Sequence, residues 1–515
     1  MFALILTMAT GSTLAEERVE WEKRFYLDEF ELPTDQYYFC NTVPFVGKFS
    51  NSATTDSPLE AFLFYDKGNI SLRLIEYGTN IVKNTYSKES LYQTSIMNPQ
   101  GERFSLIGTM ASGSDVISFS NEDSETIISA LFGNGLVRFS ISEVDTPTTK
   151  YLFNIEDSTG FVDVLPFSIA QPFSNGLALV KKGGLYGYID QTGELVIPYQ
   201  SHADIFSDGL AKVMKDDKCG FINTTGQLVI PYQWDFAFPF KDGYAVVEED
   251  ELYGVIDKSG KTILPCSYKP HTTWLSNSCV FQDGLCPVSE DGRLWGYANT
   301  NGELVIPYQW SSVNGFSDGM AAVEKDYKYG YINTSGELII PAQWSNAKDF
   351  SEGFAAVKSD DKWGFINKTG EIINPCQWER VYDYHEGFAA VEKDGKWGFI
   401  DITGEIISPC QWEDVGSFSN GLAHVKQDGK YGYIDKSGNL VIPCRWNYSF
   451  GNAFSDKFAT VSDENSKKGC INTLGELVVP CEYESVYYSE GYFTLLKDGL
   501  ITILDQNLNQ VAQVK

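Results

Sequence analysis

Three features of the 515-residue sequence predict an all-β fold assembled from tandem repeats of about 34 residues. Glycine recurs at Gly193, Gly226, Gly260, Gly302, Gly336, Gly370, Gly404, Gly438 and Gly475, with spacings of 33, 34, 42, 34, 34, 34, 34 and 37 residues. A proline follows each glycine five residues later, from Pro198 to Pro480, and an Asp or Asn precedes it by three. Aromatic residues reach 14% beside 46 glycines, the mixture expected of short strands joined by tight turns. Self-similarity at a fixed period outranks length as a guide to organisation. The chain therefore reads as one array and not as three or four globular domains.

Each repeat resolves into strands and turns in order. Residues 354–378 read FAAVKSDDKWGFINKTGEIINPCQW and residues 388–412 read FAAVEKDGKWGFIDITGEIISPCQW. Ala355–Lys358 and Trp363–Asn367 have the length and composition of strands, and a turn with Asp-Gly or a relative joins such pairs, as at Asp394–Gly395. The next turn carries Asp or Asn first and Gly fourth, as in Asp435–Gly438, a type I preference. A third apolar run such as Leu440–Ile442 follows, and proline, which cannot donate to a ladder, ends it. The glycine inside the Trp363–Gly364 strand weakens it unless something must approach closely, and a large side chain from the adjoining repeat is the expected visitor. Runs that are apolar on both faces, Leu195–Ile197 for example, require cover on both sides. Successive repeats are therefore expected to pack on one another.

Nine copies are clear and two are degenerate, one around Gly160 and one where Asp505 and Leu508 take the turn slots. The array is placed at 131–515, with insertions around Lys269–Cys279 and Trp446–Asp456. The recurring WGFI(D/N)xTGE frame with its later proline and aromatic resembles the WG-repeat, or KWG-repeat, family over roughly residues 145–510. Departures are Cys219–Gly220, which lacks the aromatic, and Lys468–Gly469–Cys470. The resemblance implies a β-repeat scaffold serving as a binding or interaction module, with no catalytic residues to transfer. Such units pack as a propeller-like ring or as an open superhelical array. Because propellers typically hold about 4–8 blades, eleven units favour an extended or incompletely closed array. A β-hairpin solenoid is the alternative.

The N-terminal region differs. Phe2 to Ala9 is apolar and small residues lead to Ala15, so residues 1–15 read as a signal segment lacking a basic start, with cleavage after Ala15. The run is too short to span a bilayer as a helix, and no other stretch of the sequence approaches that length. Residues 16–130 read as a β-rich head, conceivably of diverged repeats, opening on eight acids against three bases in Glu16–Asp35. Export to the cell surface or beyond is the expected location, with the cytoplasm as the alternative.

The chemistry-bearing residues are sparse. Net charge is −30, which argues against nucleic acid and anionic membranes as partners. Of ten cysteines, five follow proline (Cys266, Cys376, Cys410, Cys444 and Cys481), a repeat slot rather than a disulfide framework, and no CxxC pair suggests zinc. His202, His271, His385 and His424 occupy different repeat positions, and no nucleophile elbow, Walker loop or dinucleotide loop appears. No catalytic residue, metal or cofactor is expected. A possible binding surface is offered by Trp310, Trp344, Trp378, Trp412 and Trp446, which would form a stacking ladder if exposed. Packing favours the competing role, in which they fill the space between repeats. Glu303, Glu337, Glu371 and Glu405, after the turn glycines, would line one edge of a regular array. The functional expectation is a non-enzymatic scaffold for a protein or glycan partner. Its alternatives are a cell-wall carbohydrate binder using aromatic stacking and a hydrolase with its site in residues 16–130.

Overall fold

The computed structural model describes residues 21–27, 33–132, 135–145, 148–156, 161–162, 165–271, 280–455 and 457–515. The signal segment lies outside the described residues. Two compact units are present: Met1–Pro166 with Gly183–Leu185, and Phe167–Lys182 with Tyr186–Lys515.

The first unit holds β1 (Trp21–Leu27), β2 (Pro33–Asn41), β3 (Phe45–Ser50), β4 (Ser57–Asp66), β5 (Asn69–Glu76), β6 (Asn80–Ile81), β7 (Ser90–Met97), β8 (Arg103–Met110), β9 (Ile117–Ser118), α1 (Asn121–Phe132), β10 (Val137–Glu143) and β11 (Lys150–Ile155). Their antiparallel pairing runs β4-β3-β11-β10-β7-β8-β9-β5 and returns from β5 to β4, closing a barrel. The period-2 pattern explains the closure. Leu59, Ala61, Leu63, Ile70, Leu72, Leu74, Ile96, Phe139, Ile141 and Phe153 are buried, while their sequence neighbours point out. Ser120 caps α1, its hydroxyl accepting the Asp123 amide at 3.1 Å, and Ile127, Ile128 and Leu131 are buried.

One expectation is corrected here. The segment 137–155 supplies two barrel strands, so the array does not start at 131; repeat sheets begin at Phe167. The all-β fold class holds, with α1 the one helix among the described residues.

The second unit is a ten-bladed propeller whose sheets cover residues 167–200, 210–234, 236–268, 285–310, 312–344, 346–378, 380–412, 414–446, 448–483 and 485–514. Most blades are four-stranded antiparallel meanders; the second and fourth show three named strands plus isolated bridges. Blade six is representative, with strands Asn346–Ser351, Phe354–Ser359, Lys362–Asn367 and Ile372–Trp378. The degenerate copy at Asp505 and Leu508 is the outer turn of blade ten, whose Asp505 amide bonds the Asn509 carbonyl at 2.9 Å. The insertion near Trp446 lengthens the first strand of blade nine to Tyr448–Ser455.

The ring closes, and one repeated bond demonstrates it. The serine ending the first strand donates to a carbonyl of the next blade: Ser174 to Phe206, Ser207 to Phe240, Ser317 to Phe350, Ser351 to Tyr384 and Ser419 to Phe454, at 2.5–3.2 Å. Ser489 of blade ten makes the same bond, at 2.7 Å, to Phe173 of blade one. Leu496, Ile501 and Ile503 then share a core with Phe167, Ala170 and Phe173. The closed ring, rather than an open array, follows because the C-terminal copy completes a tenth blade that bonds to blade one; the turn of the Gly160 copy lies outside the described residues.

The mid-strand glycine has a different cause from the expected side chain. Trp363 pairs with Trp378 and Phe365 with Asn374, so one residue, Gly364, faces three on the fourth strand. That bulge pushes backbone inward: a Cβ on Gly364 would stand 2.5 Å from the Asn374 carbonyl and 2.7 Å from the Cys376 amide. Gly398 meets Ser408 and Cys410 in the same way. The Gly364→Ala variant is therefore expected to lose about 2–3 kcal/mol, the scale of backbone-displacing overpacking. Thermal melts of the full chain check this; Gly395→Ala, at a turn with open space and φ +70°, should cost about 1 kcal/mol.

Candidate functional site

The tryptophans ending the fourth strands are buried. Trp310, Trp344, Trp378, Trp412 and Trp446 are 3–8% exposed and sit in cores shared by successive blades. Trp344, for example, packs with Tyr331 and Ile340 of its own blade and with Ala347, Phe350 and Val357 of the next. They plug the space between blades, which removes them as a stacking ladder for a ligand. The indole N–H of Trp378 donates to Asn374 and that of Trp412 to Ser408, at 2.6 and 2.9 Å.

Glu303, Glu337, Glu371 and Glu405 are exposed on the outer turns. Three of them accept from the Asn that opens their own turn, Asn299, Asn333 and Asn367, at 2.8, 3.3 and 3.1 Å. That Asx residue is the hub of the turn. Asn367 Oδ1 accepts the Thr369 amide and hydroxyl and the Glu371 amide at 3.0, 2.7 and 3.0 Å. Asp401 does the same with Thr403 and Glu405.

The inner turns, between first and second strands, carry a second rank of carboxylates. Asp318 has φ 55° and Gly319 φ 79°, the geometry of a type I′ hairpin. The Asp318 carboxylate accepts the Gly353 amide of the next blade at 2.7 Å, and Asp283 accepts that of Gly319. Where the residue is Glu, the longer side chain spans two amides: Glu352 holds Glu386 and Gly387, Glu386 holds Asn420 and Gly421, and Glu490 reaches across the closure to Asn175 and Gly176. These charges are structural clasps first.

The cysteines after proline act separately. Cys376, Cys410 and Cys444 donate to the Val357, Val391 and Val425 carbonyls of their own blades at 3.7–3.8 Å. Burial raises the pKa of all three, and lifts that of Cys266 to about 11. Thiolate chemistry at neutral pH is thereby disfavoured. His385 and His424, distant in the repeat, both line a hollow of about 390 Å³ with Tyr382, Asp383, Gly416 and Ser417. Gly416 makes the room, since a Cβ there would overlap the His424 ring. Among the described residues no group of three or more His, Cys, Asp or Glu side chains could hold a metal ion.

The largest of these hollows, about 820 Å³, lies on the outside of the head barrel. Strand register places its outward residues in cross-strand rows. Asn154, Arg138, Met97 and Arg103 face one another across β11, β10, β7 and β8. Lys48, Leu152, Ser140, Ser95 and Ser105 form the adjoining row from β3 to β8. Ser50, Lys150, Ser142, Gln93 and Ile107 form a third. None of these positions is acidic, although acids outnumber bases 69 to 39 in the chain. Lys48 reaches Asp56 from a neighbouring turn at 3.5 Å, with both side chains more than half exposed. No residue type named above from the sequence pointed here, because Lys48, Arg103 and Arg138 are far apart in the chain and belong to no motif.

The turn hubs give a pH dependence. In Asp190 and Asp401 burial pushes the carboxyl up, but the threonine hydroxyl and turn amides outweigh it and the pKa is lowered. In Asp257, Asp435 and Asp505 hydrogen bonds lead and again lower it. A depressed folded pKa contributes stability that is full above the unfolded value of about 3.9 and is lost as pH falls through the folded value. Melting temperature should therefore drop steeply below about pH 4, and changing the five Asp to Asn, as other blades already have, should flatten that drop.

Against known families, the model described as "WG containing repeat" matches residues 167–186, 186–219, 220–253, 253–269, 295–329, 329–363, 363–397, 397–431, 431–467 and 469–500. No curated protein matches the chain. Similar solved structures include BamB from Moraxella catarrhalis, at 10% identity over 66% of this chain and 97% of that one, with TM-score 0.30. Hsv2 from Kluyveromyces lactis is 8% identical over 60% of this chain and 98% of that one, TM-score 0.26. A quinonprotein alcohol dehydrogenase-like protein from Bacteroides thetaiotaomicron is 10% identical over 66% and 90%, TM-score 0.23. The propeller architecture itself rests on the strand pairing and closure described above.

Proposed function

The chain belongs to the WG-repeat family, and we propose from that premise that it is a non-enzymatic binding scaffold, working outside the cytoplasm, whose ligand is engaged at the head. One observation carries the reading: the largest of the hollows described is lined by Lys48, Arg103, Arg138, serines and apolar groups, with no histidine, cysteine or carboxylate. Ser95, Ser105 and Ser140 are there, but an attacking hydroxyl needs an adjacent base, and the lining offers none. Such a surface supports holding a ligand better than transforming it, which counts against a head-borne hydrolase.

The propeller supports the same reading. Every blade shares its core with the next, and the inner turns are clasped by side chain to amide bonds. A ring held this way presents its surfaces with little conformational freedom left to lose on binding, the condition under which contacts convert most fully into affinity.

Immobilised full chain should retain a member of a glycan and protein panel, and the retained ligand should come back with its mass unchanged. Recovery of cleaved ligand would overturn the non-enzymatic reading. Location has its own check: N-terminal sequencing of exported protein should begin near Glu16, whereas an intact Met1 in the cell interior would remove the case for export.

A further inference from the structure

We propose that the cationic outer face of the head barrel is a docking trough for a linear acidic polysaccharide, one carrying its negative charge on alternate sugars; this rests on the binding reading above. The spacing of the cations is the first ground. Lys48 stands on β3, Arg138 two strands along on β10, and Arg103 two further on β8. Adjacent strands are about 4.8 Å apart, so Arg138 and Arg103, which share a row, stand ~10 Å apart, while Lys48, paired with Asp56, lies one row to the side and Lys150 of β11 two rows away. A β-linked sugar ring is of similar length to that strand spacing. A chain crossing the strands thus brings two alternate sugars over Arg138 and Arg103, with one sugar between them over Met97.

The residues between the cations fit the rest of a sugar chain. Ser95, Ser105, Ser140 and Asn154 offer small hydrogen-bonding groups for hydroxyls, and Met97, Leu152 and Val46 offer apolar surface for ring C–H faces. Val46 is 75% exposed and Leu152 40%, so both are open to a ligand. Among the described residues no carboxylate pairs with Arg103 or Arg138, and both are exposed.

Other polyanions fit less well. A peptide usually joins a sheet at a free edge, where its backbone can bond. Here β3, β11, β10 and β7 are each paired on both sides, and the one stretch without a second partner strand, Arg103 to Gly108 of β8, lies at the rim of the trough and not along it. Single-stranded nucleic acid needs aromatic platforms, and no outward position of the three rows is aromatic. The overall charge of −30 does not forbid an anion at this face, because at physiological salt its field decays within about 8 Å.

The test uses the full chain with three probes of matched length: hyaluronan oligosaccharides, which carry a carboxylate on every second sugar, neutral chitin oligosaccharides, and polyglutamate. Hyaluronan should bind, more weakly as salt rises, while the neutral chain does not. The double variant Arg103→Glu, Arg138→Glu should weaken it at least tenfold with an unchanged melting temperature, since both side chains are exposed. Arg103→Lys, Arg138→Lys should retain most of the binding. Absence of hyaluronan binding, equal binding of the neutral chain, preference for polyglutamate, or indifference to the charge reversal each overturns the proposal. Where the panel finds a ligand that the double variant still holds, only this trough is refuted. Cleavage of bound hyaluronan refutes the non-enzymatic reading and leaves the trough standing.

Discussion

The fourth strand of each blade must press its backbone against the third, and most of the propeller depends on that contact. Three residues of the fourth strand face one on the third, so the surplus bulges onto a position that tolerates only glycine. The bulge returns the aromatic at its end, Trp378 in blade six, directly opposite Trp363. It also places Pro375 within the surplus, on the outer strand of the sheet, where a missing N–H costs no ladder bond. From there Trp378 enters the core of the following blade beside Val381, Tyr384 and Ala389. A backbone irregularity inside one sheet thus sets the contact between two.

Because each core belongs to a pair of blades, no blade has a complete core alone. Nearest-neighbour coupling of this kind is the rule for repeat proteins, and an open array would leave two faces bare at its ends. Closure removes those ends. The turn glycine Gly370 rests on Ile340 of the preceding blade, and Gly193 of blade one rests on Ala512 and Val514 of blade ten in the same manner. Four buried indoles, those of Trp234, Trp310, Trp344 and Trp446, have no hydrogen-bond partner. The slot that serves Trp378 and Trp412 with Asn374 and Ser408 holds isoleucine in those blades. An unmet buried donor costs about 1–3 kcal/mol, so packing of that isoleucine against the next blade is being preferred to the bond.

The repeat was legible in the sequence because its slots carry residues with narrow physical uses. Asx at the turn hub, glycine at positive φ and proline at the outer strand each point to one geometry, and the strands fell where those slots implied. The reason for the Trp-Gly glycine was not legible, since a bulge is a matter of register and register leaves no mark on composition. Nor was the barrel. Its strands have irregular spacing, and β10 and β11 follow a helix that the sequence signals only by Ser120 with Glu122 and Asp123 after it. The cationic face was invisible for a further reason: Lys48, Arg103, Arg138 and Lys150 come from four separate strands and meet only through cross-strand pairing.

The charge of the chain takes on a different meaning once it is placed. Many propeller carboxylates are already engaged: in Asx hubs, in clasps on the next blade's amides, or on the amides of their own opposite turn, as Glu413 holds Asp428 and Gly429. A carboxylate bonded to two amides is stabilised where it stands and has less to offer an arriving cation, because its lone pairs are occupied and its position is fixed. Two cations of the barrel face are in the opposite condition. Among the described residues Arg103 and Arg138 are exposed with no ion pair, and their row carries no acid from β11 to β8. Charge that is bonded holds the fold, and charge left unbonded is what a ligand can use. By that criterion Arg103 and Arg138 stay available to an anion even in a chain of net charge −30, since their field is local.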